Sequence, residues 1–177
     1  MWSNDGKILF LSAQECGRKK LFWVSAIPNA HRTVPTVLVD EGSIASMYRS
    51  SGSKSDNRVL VSRSSFRENS VFLMTDPSAG TIKVTSSLLS CQSLGIRATQ
   101  ISEVWYKGAG NYNVHAWVIR PWNYKEGEKY PSALLIHGGP LQSWLHTWRP
   151  TWNPVLFAEQ GHVVVMPNIT GKFKIIS

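Results

Sequence analysis

An unbroken apolar run that ends in two glycines constrains this chain more than any other feature. Residues 132–136 read Ser-Ala-Leu-Leu-Ile, and the sequence His-Gly-Gly-Pro follows at 137–140. A short apolar run without alternation predicts a strand that is buried on both faces. Residues 152–160 are predicted to form a helix that Gly161 stops, and residues 163–166 form a second apolar strand. This order of strand, glycine-rich turn, helix and strand indicates the start of a layered α/β sheet.

The two glycines of this turn suit one kind of chemistry. Acyl transfer places negative charge on the oxygen of a tetrahedral intermediate, and backbone N–H groups at hydrogen-bond distance stabilise it. Glycine lets the backbone approach a substrate because it has no Cβ. In α/β-hydrolases a His-Gly-Gly turn that follows a strand supplies one such donor. We therefore interpret the backbone of Gly138 and Gly139 as a candidate oxyanion hole, and an ordinary tight turn is the alternative.

The first part of the chain carries short strand patterns separated by turn residues. Predicted strands lie at 8–11, 21–24, 37–39, 44–48, 59–61, 71–74 and 82–84. The segments Lys7–Phe10 and Arg58–Val61 resemble each other at a spacing of roughly 50 residues, which lies in the range of β-propeller blades. The pattern predicts two blades, too few to close a ring. An all-β sandwich is the alternative.

A change of composition between Thr75 and Thr99 predicts a domain boundary. We assign residues 1–98 to late propeller blades and residues 99–177 to the incomplete start of an α/β domain. The second part opens with a predicted hairpin, whose strands lie at 101–106 and 112–119 and whose turn lies at 108–111. The predicted fold class is therefore all-β propeller blades followed by the truncated start of an α/β-hydrolase domain.

Composition narrows the classes of function. The chain has 177 residues and a net charge of +8, but its basic residues are scattered. The one tight cluster, Arg18, Lys19 and Lys20, lies where a hairpin turn is predicted, so we expect a solvated basic surface and no nucleic-acid partner. No apolar run reaches ~18 residues, so no membrane span is predicted. Cys16 and Cys91 allow one disulfide or none, and no metal-binding pattern occurs.

Longer stretches resemble a known family. The apolar run with its His-Gly-Gly-Pro turn is followed by residues of the same pattern, namely Trp144, Trp148, Trp152, Asn153, Phe157, Gly161 and 164–168. This pattern closely resembles the start of the catalytic domain in prolyl-oligopeptidase-type serine peptidases, and among them the secreted fungal dipeptidyl-peptidases. Residues 102–106 and 115–121 resemble the hairpin that opens that domain. Residues 2–7 and 21–24 fit late propeller blades of the same family.

The resemblance implies a specific activity. Family members carry a propeller that caps an α/β-hydrolase domain, and they release dipeptides from the N-termini of peptides without a cofactor. It also implies secretion, a Ser-Asp-His triad located C-terminal to the region seen here, and an oxyanion donor at the backbone N–H of Gly139. No Gly-x-Ser-x-Gly motif occurs in the 177 residues. All five histidines precede the expected triad histidine and are predicted to be structural: His31, His115, His137, His146 and His162.

The chain alone is therefore expected to be an inactive fragment of a serine-type dipeptidyl-peptidase. The alternative is a non-catalytic truncated propeller protein that acts only by binding or as an antigen. The tail at 172–177 departs from the family's run of small residues, which suggests a translated intron. Asn168, Ile169 and Thr170 form a glycosylation sequon, so Asn168 is a candidate site. An unoccupied asparagine is the alternative, because the sequon ends a predicted buried strand.

Overall fold

The computed structural model describes residues 1–27, 34–79, 81–87, 90–97, 100–139 and 142–168, with the backbone alone for 81–87. Eleven strands and one short α-helix form within these ranges: β1 Ile8–Glu15, β2 Arg18–Ser25, β3 Thr36–Val39, β4 Ser43–Arg49, β5 Val59–Ser64, β6 Val71–Asp76, β7 Thr81–Ser87, β8 Gln100–Lys107, β9 Asn113–Arg120, β10 Ser132–Leu134, α1 Pro154–Glu159 and β11 Val163–Asn168. Each strand predicted from the sequence is present, and most are longer than predicted. The tail at 172–177, His31 and the loop at 28–33 lie outside the described residues.

The first sheet has the strand order β1-β2-β3 and is antiparallel. A two-residue turn joins β1 to β2, with positive φ at both Cys16 (48°) and Gly17 (66°). Such a turn matches the right-handed twist of the strands it joins. The hairpin predicted here is present, but its turn does not include Arg18, Lys19 and Lys20, because both strands continue until only two residues separate them. The basic cluster lies in β2, where Arg18 pairs with Glu103 and Lys20 with Glu15.

The second sheet has the order β4-β5-β6-β7 and is also antiparallel. Strand β4 pairs with β5 along its whole length, so this sheet begins before the segment Arg58–Val61 that resembles Lys7–Phe10. The two sheets share one apolar core, to which both contribute buried side chains: Phe10, Leu21, Leu38, Val39, Ile44, Val59, Val61, Val71 and Leu73. In the described residues both sheets are open, so no closed propeller ring is seen.

The third sheet has the order β10-β11-β9-β8, with β10 parallel to β11 and the other pairs antiparallel. Strand β9 is buried at every position from Val114 to Ile119. Strand β10 was expected to be buried on both faces, but it lies at the sheet edge, and Leu134 is 61% and Ile136 67% exposed. Strand β11 lies inside the sheet, between β10 and β9. The expectation for β10 failed because apolar composition does not give the order of strands.

The helix α1 covers the third sheet. Its predicted start at Trp152 is two residues early, because Trp152 has a φ of 56° and Asn153 caps the helix. The third sheet's core includes Trp117, Trp144, Val155 and Met166. Phe66, from the loop after β5, is buried in the same core and packs edge-on against Trp117 at a centroid distance of 5.4 Å. The second and third sheets are therefore packed together by shared side chains, although the division at residues 98 and 99 remains a prediction.

Candidate functional site

The candidate oxyanion turn follows directly on the edge strand β10. The backbone N–H of Leu135 donates to Val165 at 2.9 Å and extends the parallel ladder by one bond. His137 Nδ1 then donates to the carbonyl oxygen of Gly138 at 2.6 Å. Gly138 and Gly139 are both exposed. The chain thus leaves the sheet at a fixed point and presents two glycines to solvent.

Neither glycine is required here by a left-handed backbone. Among the described residues, a Cβ added to Gly139 would meet no atom within 4 Å, and one added to Gly138 would meet only the Gln142 side chain, with Oε1 at 3.5 Å. The space beside Gly139 is therefore open in the described part of the chain, and an oxyanion role needs such access for a substrate.

Residues 142–149, which we call the docking segment, follow this turn without a helix or strand. The indole Nε1 of Trp144 donates to the carbonyl of Leu135 at 2.9 Å. Trp144 is buried and belongs to the core of the third sheet. This bond ties the end of the turn to the residue that precedes it, because Leu135 lies two positions before His137.

Asn168, at the end of β11, holds the backbone of Trp144 on both sides. Its Oδ1 accepts from the Trp144 N–H at 2.5 Å, and its Nδ2 donates to the Trp144 carbonyl at 3.1 Å. The same Nδ2 lies 3.0 Å from His115 Nδ1. Asn168 is 2% exposed. A glycan replaces one of the two hydrogens of Nδ2, so the two contacts that Nδ2 makes could not both remain. Ile169 and Thr170 of the sequon lie outside the described residues.

A series of hydrogen-bonded side chains continues from His115 toward the first sheet. His115 Nε2 lies 3.2 Å from Glu103 Oε2, and the other Glu103 oxygen accepts from Arg18. Burial lowers the pKa of His115, so the imidazole is held neutral. Burial alone would raise the pKa of Glu103, but the hydrogen bond and charge of Arg18 outweigh it and lower that pKa. Glu103 is therefore an anion between a neutral histidine and a guanidinium.

The turn at Cys16–Gly17 packs against this network. Gly17 accepts a hydrogen bond from the backbone N–H of His146 at 2.7 Å. A Cβ at Gly17 would lie 2.5 Å from Trp117 Nε1 and 2.6 Å from His115 Cε1. On the other side, Ser64 Oγ lies 2.6 Å from Thr147 Oγ1. The docking segment therefore contacts all three sheets.

The histidines fall into distinct environments. His146 packs against the rings of both Phe66 and Trp117, at centroid distances of 4.7 and 5.0 Å. Burial and then the nearby charge of Arg18 lower the pKa of His146 to about 4.

The pKa of the Cys91 thiol is raised by burial, and neither Cys91 nor Cys16 forms a disulfide. Sequence reasoning missed the roles of Gly17 and Asn168, since neither position shows which distant residue it contacts.

A cleft with a volume of about 950 Å³ is lined by residues of all three sheets and their loops. Gly138 and Gly139 do not line this cleft. Its walls carry both signs of charge, and its lining residues include Arg18, Glu68, Arg97, Glu103, Trp117 and His146. Among the described residues no cluster of three metal-ligating side chains occurs. No helix in the described ranges has the length and apolar character needed to cross a membrane.

Comparison with solved structures defines the class of fold. The chain is similar to acylaminoacyl peptidase of Pyrococcus horikoshii, with a TM-score of 0.68 and 16% identity over 91% of this chain. It is also similar to dipeptidyl peptidase 4 of Porphyromonas gingivalis, with a TM-score of 0.60 and 18% identity over 94% of the chain. In each case 23% of the solved chain is covered. The arrangement of strands is thus that of one segment of these large peptidases.

Sequence comparison is more specific. No family profile matches the chain. It is 37% identical over 174 residues to a probable dipeptidyl-peptidase 5 of Aspergillus clavatus, and 36% identical over 172 residues to dipeptidyl-peptidase 5 of Trichophyton equinum. Each alignment covers 96% of this chain and 23% of the relative's length. The chain is therefore a homologue of part of the dipeptidyl-peptidase 5 proteins, and the resemblance drawn from its sequence is confirmed.

Proposed function

We propose that this chain is the part of a secreted serine-type dipeptidyl-peptidase that supplies late propeller blades and the opening strands of the α/β-hydrolase domain. The observation that supports this proposal most directly is the turn at His137–Gly139. The turn follows the parallel pair of β10 and β11, and the space beside Gly139 is open. Homology to dipeptidyl-peptidase 5 along 96% of the chain supports the same proposal. Peptides are the substrates, and dipeptides released from their N-termini are the products.

The parts of the site have separate roles in this proposal. The backbone N–H of Gly139 donates to the oxyanion of the tetrahedral intermediate, and Gly138 lets the turn approach the scissile carbonyl. The nucleophilic serine and its histidine and aspartate come from outside residues 1–177. An oxyanion donor without a nucleophile and base has no intermediate to stabilise, so the chain alone is inactive.

The isolated chain tests the last point. We expect the purified 177-residue chain to release no chromophore from a dipeptidyl anilide and to bind no fluorophosphonate, a probe of activated serines. Active dipeptidyl-peptidase is the positive control for both reagents. Covalent labelling of any serine in the isolated chain would contradict the inactive assignment.

The donor itself is tested in the peptidase that carries this segment, by two substitutions at one position. Gly139→Pro removes the N–H, and Gly139→Ala keeps it while placing a methyl group in open space. We expect proline to lower kcat by roughly 10²–10³, the loss found when one oxyanion donor is removed. Alanine should act mainly on KM. Equal kcat for the proline and alanine variants would exclude Gly139 as the donor.

A further inference from the structure

We propose that the turn at Cys16–Gly17 in the first sheet positions the candidate oxyanion turn, with the docking segment (142–149) as the link. The proposal rests on the oxyanion role of Gly139. It makes Gly17, which is 122 positions before Gly139 in the sequence, a positioning residue for the peptidase reaction.

The backbone bonds of the docking segment carry the first step. Three of its N–H groups donate to residues from three different parts of the chain: Trp144 to Asn168 Oδ1 at 2.5 Å, His146 to Gly17 O at 2.7 Å, and Trp148 to Ser64 Oγ at 3.3 Å. A segment without helix or strand has no ladder of its own to satisfy its backbone groups. Its course is therefore set by the third, first and second sheets, which contribute one acceptor each.

The second step leads from the docking segment to the glycines. The Trp144 indole donates to Leu135 before the turn, and the Gln142 side chain lies against Gly138 after it. Gly138 and Gly139 themselves make few contacts and are exposed. The orientation of the Gly139 N–H thus depends on how firmly the flanking residues are held. A displacement of about 1 Å in such a group can lower a rate by roughly 10².

The fit of Gly17 shows how closely the first sheet is docked. Its φ of 66° and the absence of a side chain let the turn lie against His115 and Trp117. These two residues also hold the network: the Trp117 Nε1 donates to Trp144 O at 3.1 Å, and His115 contacts Asn168. A methyl group at position 17 would displace either the turn or these two rings. Either displacement loosens the anchors of the docking segment.

The test is hydrogen–deuterium exchange, read by mass spectrometry, on the 177-residue chain with Gly17→Ala. We expect peptides that cover 142–149 to exchange about tenfold faster, with the second sheet unchanged. Gly127→Ala is the matched control, because Gly127 also has a positive φ, 86°, but a Cβ there meets no atom within 4 Å. Equal exchange in the segment for Gly17→Ala and the unmodified chain would overturn the proposal.

A second pair of variants guards against misfolding of Gly17→Ala. Ser64→Ala removes the hydroxyl that contacts both Thr147 and Trp148. Ser62→Ala, in the same strand, removes a contact with Ser46 and, among the described residues, none with the docking segment. We expect faster exchange of 142–149 for Ser64→Ala alone. If neither variant changes that exchange, the docking described here does not hold the segment.

Catalysis gives the last readout, in the peptidase that carries this segment. Gly17→Ala should lower kcat roughly tenfold or more while KM stays near its original value, because the donor is misplaced and the substrate pocket is not. An unchanged kcat together with faster exchange would show that the docking is structural only, and would overturn the positioning role. Absence of peptidase activity in the unmodified longer protein that carries this segment would overturn the proposed function, while the exchange experiment would still decide whether Gly17 docks the segment.

Discussion

His146 lies where the three sheets meet, and its ring is uncharged for a physical reason. The imidazole packs against Phe66 and Trp117, and its buried Nδ1 has no hydrogen-bond partner among the residues that the structure describes. Burial and the cations Arg18, Arg63 and Arg67 lower its pKa, and only Glu103 acts in the opposite direction. The neutral ring therefore packs as an aromatic side chain in the core. Protonation would place a charge among cations and aromatic rings.

His146 should make the stability of the chain depend on pH. Its pKa is about 4 when folded and near 6.5 when unfolded, so the unfolded state binds more protons between these values. Stability is therefore full above pH 6.5 and falls as pH decreases toward 4. We expect a loss of about 1–2 kcal/mol from this residue between pH 7.5 and 5. Urea unfolding of His146→Phe, followed by tryptophan fluorescence, should show a smaller loss than the unmodified chain.

A variant at the neighbouring residue distinguishes the effect of His146 protonation on stability from the effect of a lost contact. Thr147→Val removes the contact with Ser64 but leaves the imidazole in place. It should lower stability by a similar amount at both pH values. If His146→Phe shows the same dependence on pH as the unmodified chain, then protonation of other groups accounts for the acid sensitivity.

At the scale of elements, the local sequence predicted which segments form strands, but it did not predict which strands lie next to each other. Alternating or apolar runs located every strand, because side-chain period and β-propensity act within a few residues. The pairing of β4 with the second sheet and the edge position of β10 were not predicted. Both depend on contacts between residues far apart in the sequence, which no local pattern records. The same holds for the site: the glycine turn was identifiable, but its anchors Gly17 and Asn168 were not.

The helix α1 depends on a local cap that can be tested alone. It has only six residues, too short to be stable without its packing and its cap. Asn153 is 3% exposed, and its side chain accepts from the Val155 N–H at 3.1 Å. Asn153→Ala should destabilise the chain by about 1–2 kcal/mol, whereas Asn153→Ser should retain most of the stability because serine also caps. Equal unfolding midpoints in urea for both variants would argue against the cap.

At the scale of the whole molecule, three open sheets are held together by a few shared side chains and by the docking segment. Phe66 joins the second sheet to the core of the third, and Gly17 joins the first. Because the sheets are open, each of them also has edge strands. Unpaired N–H and C=O groups along an edge strand can pair with another copy of the chain. Strand β10 combines such an edge with the exposed Leu134, and Ile136, two residues after the strand, is exposed as well.

We therefore expect the isolated chain to self-associate through β10 as its concentration rises. Sedimentation velocity over a range of concentrations should show species larger than the 19.8 kDa monomer. Leu134→Lys should suppress them, because a charge on an edge strand disfavours pairing with a second strand. Leu156→Lys is the matched control, since Leu156 is also an exposed leucine but lies on α1. A monodisperse monomer at all concentrations, or equal suppression by both lysines, would show that β10 is not the site of association.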